Sequence, residues 1–337
     1  MILAGDVGGT KALLALYEEG ATPRRPRAEA RRSSRDARSL EALAGEFLAA
    51  SGAPQPRRAV FGLAGPVVNN RCETTNLPWV VSGDEVSAAL GGADVLLVND
   101  LEAAGWGVAS LGAGDLEFLQ RGESVAGNRA LIAAGTGLGE SILFWDGERH
   151  RPVASEGGHA DFAPNDALED ELLVWLRARY GHVSAERVLS GPGLADLYRF
   201  LGATGRGAEP AGMAERFAAA SDPAAFVTEA ARDGSSERAR LAVGKFAEVY
   251  GAEAGNLALT GLATGGVFIG GGIAPRLLEM LRDGRFLRAF HSKGRLEPLL
   301  RRVPVAAILD SRTGLWGAAA LALGAHAPSR AELRAGG

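Results

Sequence analysis

Apolar residues along the chain fall into two rhythms. Val95 to Val98 form an unbroken apolar run and read as a strand buried on both faces. "ILAGDVGGTKALLALYEEG", opening at Ile2, reads as strand, glycine turn, strand. "RRAVFGLAGPV" is a strand that ends in Gly65-Pro66, and "GGVFIGGGI" is a strand that ends in a glycine turn. The second rhythm is helical. "SLEALAGEFLAASG" spaces Leu40, Leu43, Phe47 and Leu48 along one face, with Ser39 as N-cap and Gly52 as stop. The same reasoning predicts helices over "SGDEVSAALGG", "LEDELLVWLRARYG" (closed by Gly181), "VSAERVLSG", "GLADLYRFLG" and "VGKFAEVYGAEAGNLALTG". Residues 203–240 read as helix and loop, "GLWGAAALALGAHA" as a last helix, and "PSRAELRAGG" as a polar tail.

"RALIAAGTGLGESILFW" repeats the opening pattern of strand, glycine turn and strand near the middle of the chain. The repeat suggests two similar α/β halves. A length of 337 residues agrees, because it exceeds what one hydrophobic core holds comfortably. Glycine changes the picture further. The chain has 47, about twice the usual share, clustered beside apolar runs, where they suit tight turns and close approach of backbone to a ligand.

Charge and cysteine content narrow the function classes. A net charge of −4 argues against a nucleic-acid partner, whose footprint is a basic patch. The seven arginines of "ATPRRPRAEARRSSRDARS" read as a solvated loop and a guarded edge strand. The single cysteine, Cys72, supplies neither a disulfide framework nor a cysteine zinc site and suits a reducing cytoplasm. "MILAGDVGGT" has no basic start and meets Asp6 early, so it does not read as a signal peptide. The stretch from Asn256 to Pro275 is broken by six glycines and reads as strand and turns, so no membrane association is expected.

Two features carry candidate chemistry. The strand at Val95 runs straight into Asn99 and Asp100. Asp and Asn there suit a helix N-cap. They equally suit a functional carboxylate at the carboxyl end of a strand, where open α/β sheets place ligands. The second feature is the pair of loops Gly8-Gly9-Thr10 and Gly135-Thr136-Gly137. No G-x-x-x-x-G-K-[ST] loop is present. "GTGLGE" has the wrong spacing for a dinucleotide fingerprint and leads into a strand. Either loop alone reads as a tight hairpin. Two in similar halves point to backbone N–H cradles for phosphate oxygens, each with a threonine hydroxyl as a further donor.

"GDVGGTK", "LAGPV", "NLPW", "VNDLEAAGWG", "GTGLG", "EGGHADFAPN", "GHVSAERVLSGPGL" and "GGVFIGGGI" stand in the order found in bacterial glucokinases, which the chain resembles over essentially its whole length. The resemblance implies an α/β chain with the two-domain, actin-like ATPase (ribonuclease H-like) fold and an interdomain cleft. It implies a small domain of residues 1–110 plus 312–335, with the C-terminal helix returning to it, and a large domain of residues 111–311. It implies ATP-dependent phosphorylation of the 6-hydroxyl of glucose by a cytoplasmic homodimer.

Specific residues follow from the same resemblance. Asp100 is implied as general base and sugar ligand, with Asn99, Glu156, His159 and Glu186 on the sugar. Asp6 is implied to orient waters around Mg²⁺. Gly8, Gly9 and Thr10 would meet the β- and γ-phosphates from one domain, and Gly135, Thr136 and Gly137 from the other. Gly271 and Gly272 would lie against the adenosine. Two residues depart from the pattern. Lys11 stands where these glucokinases often carry Asn, and Glu140 brings negative charge next to the second glycine loop. Kinases for another hexose or amino sugar, and a sugar-binding regulator without catalysis, are the rival readings.

Overall fold

The computed structural model describes residues 1–324. The polar tail at 328–337 lies outside them, as do the last residues of the predicted C-terminal helix and of the small domain. The chain divides into two units. The first is chiefly Met1–Gly114 together with the chain from Asp310 onward, and the second is chiefly Asp115–His150 and Ser155–Leu309.

The first unit runs β1 (Ile2–Val7), β2 (Lys11–Tyr17), β3 (Ala28–Ser33), α1 (Leu40–Ser51), β4 (Arg58–Leu63), β5 (Val67–Val68), β6 (Arg71–Glu73), β7 (Val80–Ser82), α2 (Gly83–Ala89), β8 (Asp94–Asn99) and α3 (Asp100–Gly107). Its main sheet has the order β3-β2-β1-β4-β8. β1 pairs antiparallel with β2 and parallel with β4, which in turn pairs parallel with β8. Helices α1 and α2 supply the crossovers that parallel pairing requires. Ser39 caps α1 by accepting from the Ala42 N–H at 3.3 Å, and Gly52 closes it with φ 57°. The arginine-rich segment becomes the edge strand β3.

The period of two splits each strand between two cores. Leu3, Leu14, Phe61 and Leu97 face Leu43 and Phe47 of α1. Ile2, Ala4, Val60 and Val98 face Trp106 of α3 and Leu315 and Leu321 of the last helix.

The chain continues with β9 (Leu116–Gln120), β10 (Arg129–Ala134), β11 (Leu138–Trp145), β12 (His150–Val153), α4 (Ala167–Tyr180), α5 (Gly191–Ala203), α6 (Met213–Ala218), α7 (Pro223–Arg232), α8 (Glu237–Thr260), β13 (Gly266–Gly270), α9 (Leu278–Arg282), α10 (Arg285–His291), α11 (Glu297–Leu300) and β14 (Val305–Ile308). The chain then enters α12 (Thr313–Ala322) of the first unit. The second sheet has the order β12-β11-β10-β13-β14-β9. β10 is antiparallel to β11 and parallel to β13, and β13 is parallel to β14. The first five positions repeat the walk of the first sheet, so the short echo of strand, glycine turn and strand extends to a shared topology. α8 carries Phe246 and Tyr250 into the core against Phe286 and Phe290.

Two parts of the sequence reading change. "VSAERVLSG" is not a helix; only Ala185–Arg187 makes a single 3₁₀ turn. Its backbone groups are taken up elsewhere: Val183 O accepts from Phe162 N at 3.0 Å, and Ala185 N donates to Ala160 O at 2.9 Å. The segment lies along "GGHADF", and its own backbone bonds are confined to Ser184–Leu189. The small β5-β6-β7 sheet and the short helices α9 to α11 have no counterpart in the sequence reading. Elements of two to seven residues are too short to show a period. Among the described residues no helix is long and apolar enough to cross a membrane.

Candidate functional site

In the first unit, Val7, Leu63 and Asn99 stand in register at the carboxyl ends of β1, β4 and β8. The Gly8–Thr10 turn follows the first, Ala64-Gly65 the second and Asp100 the third. With strands about 4.8 Å apart, the turn and Asp100 leave the same sheet edge roughly 10 Å from one another.

Asn99 is the N-cap of α3: its Oδ1 accepts from Leu101 N at 2.9 Å and Glu102 N at 3.3 Å. Its Nδ2 donates to Gly65 O at 3.1 Å, which ties the ends of β8 and β4 together. Asp100 is the first residue of α3, and one carboxylate oxygen accepts from Leu101 N at 2.8 Å. A negative charge at a helix N-terminus is favoured by the helix dipole. The cap reading therefore holds for Asn99, and Asp100 is the residue next to it. Asn99 makes the cap, and Asp100 carries its charge at the strand end.

The Gly8–Thr10 turn is closed by Gly8 N donating to Lys11 O at 3.0 Å. A side chain at Gly9 would strike Asn76, so the "NLPW" segment packs on this loop. Thr75 returns two hydrogen bonds to Ala64 O. Lys11 is exposed.

Asp6, in the body of β1, faces α12. A Cβ on Gly314 would come within 2.8 Å of its carboxyl. Burial pushes the Asp6 carboxyl up to about 6, against the opposing pull of Lys11. The folded state thus binds this proton more tightly than the unfolded chain does. The contribution to stability is complete below about pH 4 and is lost as pH rises through about 6. Asp6→Asn is expected to stabilise the ligand-free protein by about 1–2 kcal/mol at pH 8 and to bring no gain at about pH 4. Urea unfolding at the two pH values checks this; equal gains at both would refute it.

In the second unit the Gly135–Gly137 turn joins β10 to β11, closed by Gly135 N to Gly137 O at 2.8 Å. Several elements brace it. Gly191 N, at the start of α5, donates to Gly135 O at 2.8 Å. Buried Tyr250 of α8 accepts from Ala134 N at 3.1 Å. Gly271 adopts φ 81°, and a Cβ there would collide with the Ala134 backbone, so Gly271-Gly272 leave β13 directly beside this turn. The Glu186 carboxylate accepts from Leu138 N at 2.9 Å and leaves no room for a side chain on Gly137. Thr136, Glu186, Arg187 and Ser190 line a small cavity of about 50 Å³.

Glu156 and His159 bracket a 3₁₀ turn, Gly157–His159. Both side chains are about half exposed, at 51% and 55%, and stand 3.9 Å apart, so a ligand can reach them. Gly158 is buried against the Leu138 carbonyl. Leu138 thus carries Glu186 on its N–H and the Glu156–His159 turn on its carbonyl. Three sugar-ligand candidates gather around the first residue after the second glycine loop.

The comparisons agree with these motifs. A family model described as Glucokinase matches residues 3–325. The chain belongs to the glucokinase family. It is 40% identical to a glucokinase from Nostoc sp., over 95% of this chain and 98% of that protein. A solved glucokinase from an Antarctic psychrotroph superposes with a TM-score of 0.79 at 31% identity, covering 95% of this chain and 98% of that one. A ROK family glucokinase from Streptomyces griseus, solved with glucose and AMPPNP, superposes with a TM-score of 0.64 at 25% identity over 95% of this chain and 98% of that one. The fold is the two-domain, actin-like α/β architecture of these kinases.

Family membership directs attention to what the motifs left out. Asn76 buttresses the first loop at Gly9, and Tyr250 the second at Ala134. Neither role shows in a sequence, because both act across the fold. Glu140 turns away from its loop into the interior, where it is buried. Elsewhere Asp166, Glu169 and Glu248 converge in a metal-like cluster. Lys245 Nζ already sits among them at 2.6, 3.2 and 2.6 Å, so the chain's own cation takes the place an ion would occupy.

Proposed function

We propose that this chain is a glucokinase: it moves the γ-phosphoryl group of ATP to the 6-hydroxyl of glucose, with Asp100 as general base. The observation that carries the reading is the Asp100 carboxylate at the exit of β8, held there by the first turn of α3. A sugar hydroxyl is a weak nucleophile at neutral pH, and a carboxylate that takes its proton as the new P–O bond forms accelerates transfer by about 10²–10⁴. Asn99 has a second amide proton to offer a sugar oxygen. Glu156, His159 and Glu186 hold further hydroxyls. A sugar lacking one of these hydroxyls leaves an acceptor unpaired, which is the basis of selectivity.

The Gly8–Thr10 and Gly135–Gly137 turns bring backbone N–H groups to the phosphates, and Gly271 and Gly272 lie against the adenosine. Phosphoryl transfer depends on such positioning and charge neutralisation. Asp6 fits an ion held through water: it offers one half-buried carboxylate, and Mg²⁺ keeps most of its waters. When bound, Mg²⁺ supplies neutralisation of phosphate charge. The proposal includes the homodimer and the cytoplasmic setting that the resemblance implies.

An assay coupled to ADP formation, run with ATP across glucose, mannose, glucosamine and N-acetylmannosamine, tests it. The expected kcat/KM is highest for glucose, by about tenfold or more. No turnover of glucose, or a clear preference for an amino sugar, would overturn the reading.

A further inference from the structure

Glu140 has no part in the chemistry above, yet it is an expensive residue to bury. It lies on β11, and its side chain is 4% exposed by residue. Its Oε2 lies 2.6 Å from where a Cβ on Gly157 would stand, so the carboxyl group packs directly on the Gly157 backbone. A side chain at position 157 would have to push the carboxyl aside. Oε1 is buried with no hydrogen-bond partner among the described residues, counting the carboxyl as ionised. The group facing it from α8 is the Glu253 carboxyl.

Two carboxylates can bond to each other only when one carries a proton, and two bare charges in a buried site repel. Burial, followed by the Glu253 charge, pushes Glu140 up to about 8. The surrounding groups are accounted for. Glu253 accepts from Asn256 Nδ2 at 2.9 Å, and Asn256 accepts from Lys293 Nζ at 2.7 Å. Tyr250, on the same helix, is held to the end of β10, and burial raises its phenol far above the neutral range. From the turn itself, Ser155 Oγ accepts from Gly157 N at 2.9 Å, while Glu156 and His159 point to solvent.

We propose that Glu140 is a positioning residue for the sugar ligands: sharing one proton with Glu253, it forms the floor on which Gly157 rests and so fixes the Glu156–His159 turn. The inference rests on the reading that this turn holds glucose. While the proton is shared, the floor is one compact carboxyl–carboxylate pair. When the proton leaves at alkaline pH, the buried Glu140 charge faces the half-buried Glu253 charge, and the turn that rests on Glu140 is displaced. Asp100 lies in the other unit, so the loss falls on KM for glucose and not on kcat.

The test is kcat and KM for glucose from pH 6.5 to 9.5 in the wild type, Glu140→Gln and Glu253→Gln. Either glutamine supplies a permanent N–H donor to the remaining carboxylate, so the pair keeps its bond with no proton to lose. Wild-type KM is expected to rise by roughly fivefold to tenfold above about pH 8, with kcat changing much less. Both variants are expected to show a flat KM over this range. Should Glu140→Gln fail to fold, Glu253→Gln carries the same comparison. A flat wild-type KM, or variants that keep the alkaline rise, would overturn the inference and leave the proposed function standing. A wild type that does not phosphorylate glucose at any pH would overturn both.

Discussion

Asp100→Asn is expected to lower kcat on glucose by about 10²–10⁴ while KM for glucose changes by less than about threefold. The substitution is nearly isosteric. An asparagine oxygen can still accept from Leu101 N, as Asp100 Oδ1 does at 2.8 Å. The cap of α3 is untouched because Asn99 makes it, through Leu101 N and Glu102 N. The variant therefore keeps the fold and the sugar's hydrogen bonds and loses the ability to take a proton. A loss confined to kcat is what removing a transition-state interaction produces, whereas lost ground-state binding would raise KM. The coupled assay reads both constants, and glucose titration of the variant by calorimetry checks binding directly. Turnover within about tenfold of wild type would show that another group accepts the proton.

The same pair of residues shows how far the sequence could be read. The run from Val95 to Asp100 announced a strand followed by a cap or a functional carboxylate. It could not say which residue was which, because that depends on ψ at Asn99 and on where α3 begins. The two glycine loops were legible as strand–turn–strand units. Their bracing was not: Asn76 against Gly9, Tyr250 on Ala134 and Glu186 on Leu138 join residues 48 to 116 positions apart, as at Leu138 and Ala134. No local period records such contacts. "VSAERVLSG" misled for a related reason. Its composition permits a helix, but its backbone is bonded to Ala160 and Phe162, a tertiary preference that overrides propensity. The sequence places the Glu140 charge beside a phosphate loop and does not say which way it points. The pleat of β11 turns it into the core against α8.

Gly317→Ala is expected to lower stability by about 1–3 kcal/mol and to reduce kcat by roughly tenfold or more, although Gly317 stands on α12 and belongs to none of the ligand sets. The cause is the crossing of α12 with α3. A Cβ on Gly317 would overlap the Ala103 carbonyl oxygen and come within 2.6 Å of Gly107 N. Gly107 is locked in turn, since a Cβ there would overlap the Thr313 carbonyl. Both obstacles are backbone, so no rotamer change relieves them, and the two helices must part. α3 begins at Asp100, and a shift of about 1 Å in a catalytic group is enough to cost up to 10² in rate. Helix propensity alone predicts the opposite sign, because alanine is favoured over glycine in a helix by about 1 kcal/mol. Gly45→Ala in α1 separates the two effects. Nothing lies within 4 Å of the added methyl, so it is expected to stabilise the protein by about 0.5–1 kcal/mol and to leave kcat unchanged. Chemical denaturation and steady-state kinetics on both variants read the contrast. A Gly317→Ala protein as stable and as active as Gly45→Ala would mean that the α3–α12 crossing has slack, and that Asp100 is held by β8 and the Asn99 cap alone.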